Sequence, residues 1–285
     1  GGGDVFAGTV SAKASFFAEG CRPLLDKLES SRTALTRFAI ALGPFVAGFA
    51  LVAWTKFRVA AFVFVGAMLA MFTVRLPGAL FHNNSRYLYV LVPLAVGGWA
   101  AACAHESQRV RRGATAALGV TAFVVAISLP GRLAVQAEET IAASDSYHAV
   151  AEWVATNVDD DAVVLLHDAG AMSLVGQQSL VDLVGLKTST SPAVHREYTE
   201  AQCRRGTEAT SLVAARYGAS VLVVTSVWDR DFRITQSLRD EGWTVERIDT
   251  RIDTKTEGPD TKADGSDGSR GLERYEVYSI APPAG

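Results

Sequence analysis

Residues 38–55 read FAIALGPFVAGFALVAWT. The run contains no Asp, Glu, Lys or Arg. A helix that crosses a bilayer needs about 17–25 apolar residues. Three more runs share this character: 59–74, 87–105 and 113–131. The run 59–74 is short for a span, but Arg58 and Arg75 bracket it and can snorkel to the two interfaces. Pro44, Gly48, Gly66, Pro93, Gly97 and Gly98 interrupt the runs. A membrane bundle tolerates them, because neighbouring helices satisfy the freed backbone groups. Buried helices of a soluble protein would explain one such run. Four in succession, separated by short charged loops, predict a membrane region over residues 34–132 with four transmembrane helices near 38–55, 59–74, 87–105 and 113–131.

Charge divides the chain at the end of that region. Residues 1–134 hold 13 Lys/Arg against 5 Asp/Glu, a net of +8. Residues 135–285 hold 14 against 25, a net of −11. The formal −3 and the mean hydropathy of +0.18 are therefore averages over two unlike halves. One uniform globular domain is excluded, as are a collagen-like, a disulfide-rich and a wholly disordered chain. The acidic total gives nucleic-acid binding no electrostatic support. Lys56, Arg58, Arg109, Arg111 and Arg112 occupy two loops on one side of the predicted bundle, and Arg75 and Arg86 bound the loop on the other. The positive-inside rule places the first pair of loops in the cytoplasm. The loop 75–86 and everything after residue 131 are then expected to be extracytoplasmic.

The chain opens Gly1-Gly2-Gly3, and its first residues lack the basic and apolar segments of a signal peptide. It is expected to be a piece of a longer chain. Within residues 1–33, Phe16, Phe17, Leu24, Leu25 and Leu28 alternate with Lys13, Arg22, Asp26, Lys27 and Glu29. That mixture predicts an amphipathic helix at the interface or a disordered segment.

From residue 133 to 285 the pattern is that of an α/β domain. A helix over 144–157 precedes the acidic turn Asp159–Asp161, and AVVLLH at 162–167 reads as a buried strand. Further strands are predicted at 179–184, 221–225, 243–248 and 272–280. Helices are predicted over 207–217, stopped by Gly218, and over 231–241, stopped by Gly242. Alternation of strand and helix predicts a mostly parallel, Rossmann-like sheet. Residues 249–270 are rich in Thr, Asp, Gly and Lys and predict a flexible insertion. The fold class expected is thus an α-helical polytopic membrane region followed by an extracytoplasmic α/β domain.

Several chemistries lack their residues. After the first strand the chain runs DAGAMSLVG, which is neither a dinucleotide fingerprint nor a P-loop. No G-x-S-x-G elbow is present. Cys21, Cys103 and Cys203 have no metal spacing, nor do the five histidines. Cys21 and Cys203 are expected on the same oxidising side, and nothing in the sequence pairs them. No cofactor is implied, and a divalent metal has no ligand pattern to support it.

Two segments remain: FHNNSRYLYVLVP at 81–93, in the outward loop and the start of the third span, and LVDLVGL at 180–186. With a helix, Trp153, an acidic turn and a strand ahead of the second segment, this arrangement resembles polytopic polyprenyl-phosphate-dependent sugar transferases of the GT-C superfamily. Among these are the protein mannosyltransferase-like and aminoarabinose transferase-like groups. The Arg-Tyr pair opening a late helix, the preceding His and the V-D-x-x-G-L segment carry the resemblance, which spans roughly residues 38–280. It implies a donor phosphate bound by Arg86, with His82 and Tyr87 assisting. A guanidinium suits that task, because it can donate paired N–H bonds to phosphate. An ordinary interfacial anchor is the plainer reading of Arg86 and Tyr87, since Arg and Tyr are both common at helix ends. Asp182 is read as either a substrate contact or a strand-end carboxylate that accepts backbone N–H bonds.

The resemblance implies a lipid bilayer, a polyprenyl-phosphate-linked sugar and an extracytoplasmic acceptor as partners. It also implies a catalytic Asp or Glu in a first outward loop. Asp4, Glu19, Asp26 and Glu29 precede the first run, and none stands in that context. The catalytic carboxylate is therefore expected upstream of this sequence. The alternative is a membrane-tethered α/β binding or assembly domain without catalysis. A transporter is disfavoured, because the four runs contain no Asp, Glu, Lys or Arg.

Overall fold

The computed structural model describes residues 8–81, 86–170, 172–205, 208–248 and 275–283. They form two compact units: Glu19–Ala134, and Val135 onward together with the segment that ends at Ala18. The predicted insertion 249–270 lies outside the described residues.

The helix α1 (Gly8–Phe16) belongs to the second unit. Phe16 is buried there against Trp228, Phe232 and His195, with ring centroids 4.8–5.6 Å apart. The single interfacial helix expected within 1–33 is therefore two pieces. Ala18 takes a left-handed backbone (φ +50°), and Pro23 precedes the next helix. The aromatic pair Phe16–Phe17 goes to one unit, while Leu24, Leu25 and Leu28 stay exposed on the other.

The first unit is helical. It contains α2 (Leu24–Leu42), α3 (Ala47–Leu51), α4 (Arg58–Arg75), α5 (Val92–Cys103) and the first part of α6 (Gln108–Asn157). Among the described residues, three runs are long and apolar enough to cross a membrane: Leu24–Trp54, Arg58–Arg75 and Gln108–Glu138. Tyr87–Cys103, expected as a fourth, is apolar but shorter, because α5 stops at Cys103 and Ala104. The first run bends where Gly43 adopts φ +56° and Pro44 opens a 3-10 turn. Such a bend frees carbonyls that lipid cannot satisfy. The Trp99 indole donates to the Phe45 carbonyl at 3.1 Å and supplies one of the missing bonds.

Residues 113–131 and 144–157, read as separate helices, are parts of one helix of 50 residues that includes Pro130. Its apolar outer residues, among them Val120, Phe123 and Ile127, are exposed in the protein alone. That is the expected state of a lipid-facing surface.

The second unit is built on a five-stranded sheet in the order β2-β1-β3-β5-β4. The strands are β1 (Val163–Leu166), β2 (Ser179–Asp182), β3 (Val221–Thr225), β4 (Thr244–Ile248) and β5 (Tyr275–Ala281). β1 pairs in parallel with β2 and β3, whereas β5 runs antiparallel to both β3 and β4. The sheet is thus mixed, which corrects the mostly parallel expectation. Side chains alternate along each strand. Leu165, Leu222 and Val224 face a core with Val213, Ile234 and Leu238. Val164, Leu166 and Val223 face the other core, with Val150 and Val154 from the end of α6. Burying each Leu or Val side chain contributes about 1.5–3 kcal/mol.

The remaining helices are α7 (Met172–Val175), α8 (Ser191–His195), α9 (Ala209–Tyr217), α10 (Ser226–Phe232) and α11 (Ile234–Asp240). Gly218 ends α9 in the left-handed region, as the sequence predicts. The helix expected over 231–241 is broken at Arg233 (φ +54°). There the Asp229 carboxylate accepts bonds from the Thr235 N–H and hydroxyl, both at 2.7 Å, and restarts the chain as α11.

Candidate functional site

The helical unit carries a half-open apolar pocket of about 270 Å³. Phe38, Phe49, Val65, Leu69, Leu91 and Leu94 are among its lining residues, and no charged side chain lines it. Small-molecule pockets begin near this size, at roughly 300 Å³. Small residues on α3 and α5 let those two backbones meet. Gly48 and Gly98 are in contact there, with no room for a Cβ on either.

Arg86 opens a 3-10 turn, Arg86–Leu91, whose last residue lines this cavity. At about 2.0 Å per residue, the Arg86 backbone stands roughly 10 Å along the turn from Leu91. Tyr87 is half-buried, with its ring 5.5 Å from that of Phe72 near the end of α4. Tyr89 packs edge-on to Phe38 at 5.3 Å. His82, the third residue expected at a donor phosphate, lies outside the described residues.

Arg22 and Lys27, expected on an amphipathic surface, instead join a polar network between the start of α2 and the end of α4. Glu19 is 2% exposed and pairs with Arg22 at 3.3 Å. Arg22 also donates to the Ser30 hydroxyl at 2.7 Å. Lys27, 7% exposed, donates to the Val74 carbonyl at 3.0 Å. Ser31 and Thr73 share a hydrogen bond of 2.8 Å. These bonds tie the start of α2 to the end of α4, and Glu19 fills the space beside Gly78 in the turn that follows. Buried charges persist only when paired in this way. The charges at 19, 22 and 27 are visible in the sequence, but apart from the Glu19–Arg22 pair their partners are backbone carbonyls and a hydroxyl, which have no periodicity to read.

Asp182 sits elsewhere, at the end of β2 in the α/β unit. Its Oδ1 accepts from the Val184 N–H at 2.9 Å, and its Oδ2 accepts from Leu186 and Lys187 at 2.7 and 3.0 Å. The Thr188 hydroxyl accepts from the Asp182 N–H, and the Ser191 hydroxyl donates to its carbonyl, both at 2.8 Å. Gly185 completes the loop with φ +88°, against Pro192. The V-D-x-x-G-L segment is therefore a loop wound around one buried carboxylate. Its two oxygens are occupied by backbone amides.

The family model described as Domain of unknown function (DUF8728) matches residues 134–278, half of the chain. The chain belongs to the DUF8728 family. The DUF8728 region takes in the whole α/β sheet except the last residues of β5, and it includes Asp182 but not Arg86 or Tyr87. No curated protein and no solved structure matches the chain. Among the described residues, no three His, Cys, Asp or Glu side chains come together as a metal site. Cys103 is a free thiol.

Proposed function

We propose that this DUF8728 protein is the C-terminal portion of a membrane glycosyltransferase of GT-C type. Its reaction moves a sugar from a polyprenyl-phosphate donor to an extracytoplasmic acceptor. The observation that carries the reading is the continuity of Arg86–Leu91. Arginine stands at one end of a six-residue 3-10 helix, and the residue at the other end lines an apolar pocket. A lipid phosphate has the same layout, with an anion at the interface and a hydrocarbon chain behind it. As the sugar departs, charge grows on the phosphate, and a fixed guanidinium stabilises it.

The finer topology belongs to this reading. The six residues of Arg86–Leu91 and the twelve of Val92–Cys103 together rise roughly 30 Å. That is about the thickness of the hydrocarbon core, so Tyr87–Cys103 serves as a fourth span. The basic loops then lie in the cytoplasm, and the α/β domain is extracytoplasmic. Within the sheet, the order β2-β1-β3 of the parallel half supports a Rossmann-like origin for that half.

The test is transfer from polyprenyl-phosphate mannose in membranes containing the intact gene product. Arg86→Ala is expected to lower transfer about 100-fold, as losing one charge-stabilising donor does. Arg86→Lys is expected to recover only part of it. Transfer unchanged in Arg86→Ala removes Arg86 from the site. The match of the family model to the α/β unit favours a second reading, a tethered α/β module. Absence of both transfer and polyprenyl-phosphate binding in the wild type would select it.

A further inference from the structure

We propose that the carboxyl edge of β1 and β3, beside His167 and Trp228, is a binding site for a neutral hydroxylated sugar ring. That the ring is a sugar rests on the transferase reading above; the location rests on the sheet. The chain leaves β1 for β2 on one side and returns to β3 on the other. Ligands of α/β sheets bind outside the carboxyl ends of the strands at such a reversal. His167 follows β1 directly, Trp228 lies three residues beyond β3, and Tyr275 pairs with Thr225 at the same end.

Aromatic rings line this edge in a row. Tyr147 stacks on Tyr275 with centroids 5.0 Å apart and planes 12° from parallel. Tyr275 lies 5.9 Å from His167, and His167 lies 4.4 Å from Trp228. Tyr147, Tyr275 and Trp228 each keep part of their surface in solvent. A half-exposed aromatic ring is an apolar body with a polar tip, and it suits the C–H face of a pyranose.

Polar groups stand beside the rings. Asp168 is exposed, and one carboxylate oxygen accepts from the Gly170 N–H at 3.1 Å. Tyr147 donates its hydroxyl to the Asp168 carbonyl. The Lys187 ammonium donates to the Ser173 hydroxyl at 3.0 Å and to the Ala169 carbonyl at 3.4 Å. The His167 Nδ1 is buried and has no hydrogen-bond partner among the described residues. A buried polar atom left in that state is uncommon and calls for a partner. A ligand hydroxyl can give or accept that bond according to the ring's tautomer. Asp168 and the domain's net −11 disfavour an anion, and Lys187 disfavours a cation. A neutral polyol meets no such penalty.

The experiment is saturation-transfer NMR on the full chain in nanodiscs. The probes are the methyl glycosides of mannose, glucose and galactose, with tetramethylammonium chloride as the cationic alternative. At least one glycoside is expected to receive saturation at its ring C–H protons. Asp168→Asn keeps an oxygen for the Gly170 N–H and is expected to weaken binding about tenfold. Trp228→Ala is expected to abolish it, with Trp228→Phe retaining part, so that loss of a ring face is separated from loss of fold. No glycoside binding, binding equal in Asp168→Asn and Trp228→Phe to wild type, or binding of tetramethylammonium alone overturns the proposal. Glycoside binding that these variants weaken, in a protein that transfers no sugar, keeps the site and removes the transferase reading. Sugar transfer that persists with no glycoside bound at this edge does the reverse.

Discussion

Gly98 and Gly48 meet backbone to backbone: a Cβ built on Gly98 would lie 1.9 Å from the Gly48 carbonyl oxygen. Small residues at a helix crossing let two membrane helices approach this closely. Gly98→Val has no flexible neighbour to displace, because the atoms in its way are backbone. It is expected to destabilise the helical unit by about 1–3 kcal/mol and to lower the thermal midpoint of the detergent-extracted protein. A midpoint equal to wild type would mean that α3 and α5 do not touch here. Gly97→Ala is the control, since nothing lies within 4 Å of its added Cβ.

Asp182 organises its loop through three backbone amides. Asp182→Ala leaves those N–H groups without their acceptor. Hydrogen bonds to a charged group are worth about 1.5–3 kcal/mol each, though the loss of three from one loop is not additive. A loss of about 3 kcal/mol or more in urea unfolding of the α/β unit is expected, measured by its tryptophan fluorescence. A change below 1 kcal/mol would show that the loop holds its shape by other means.

Two buried histidines give the α/β unit a pH dependence of known sign. Burial pushes both His167 and His195 down to about 4; Asp168 and a backbone bond at Val223 oppose the shift for His167, and a backbone bond at Leu183 opposes it for His195. The unfolded chain titrates near 6.5, so below that pH the unfolded state binds more protons than the folded one. Stability is then fully present above about pH 6.5 and falls as the pH drops toward 4, by about 3 kcal/mol for each histidine. Chemical unfolding at a series of pH values checks this. His195→Gln, which removes one titrating ring, is expected to flatten the slope between pH 6.5 and 4 by about half. An identical slope in that variant would place the pH dependence elsewhere.

The apolar pocket offers a test of the proposed lipid site that leaves Arg86 alone. Ala39 lines it and is only partly buried, so Ala39→Phe fills space without forcing a packed backbone apart. Binding of a long polyprenyl phosphate is expected to weaken about tenfold. Binding of a short alkyl phosphate, which cannot reach the cavity, is expected to stay the same. Equal weakening of both would assign the effect to a general loss of fold.

Much of the architecture is written locally and can be read. Buried strands such as VVLL at 163–166 and VLVVT at 221–225 are dense apolar runs between turns. The αL stop at Gly218 and the long apolar stretch after Gln108 are likewise local signals. What could not be read depends on partners far along the chain. The direction of β5 is set by which neighbour it pairs with, and an isolated strand pattern looks the same either way. Phe16 and Phe17 look like one face of an amphipathic helix until Trp228 and Phe232 are brought beside them. Asp182 shows the mixed case. Its V-D-x-x-G-L motif is visible, but the three amides that occupy the carboxylate appear only once the loop is folded. The pocket that Leu91 lines is assembled from α2, α3, α4 and α5 with the turns between them, and no local pattern announces it.

The most direct measurement is binding of undecaprenyl phosphate to the nanodisc-held chain by native mass spectrometry, comparing wild type with Arg86→Ala. A phosphate clamped by a guanidinium and a chain held in the cavity predict a bound lipid in wild type. They also predict at least tenfold weaker binding in the variant, with the helical unit still folded. Equal occupancy of the lipid in both proteins would contradict the account.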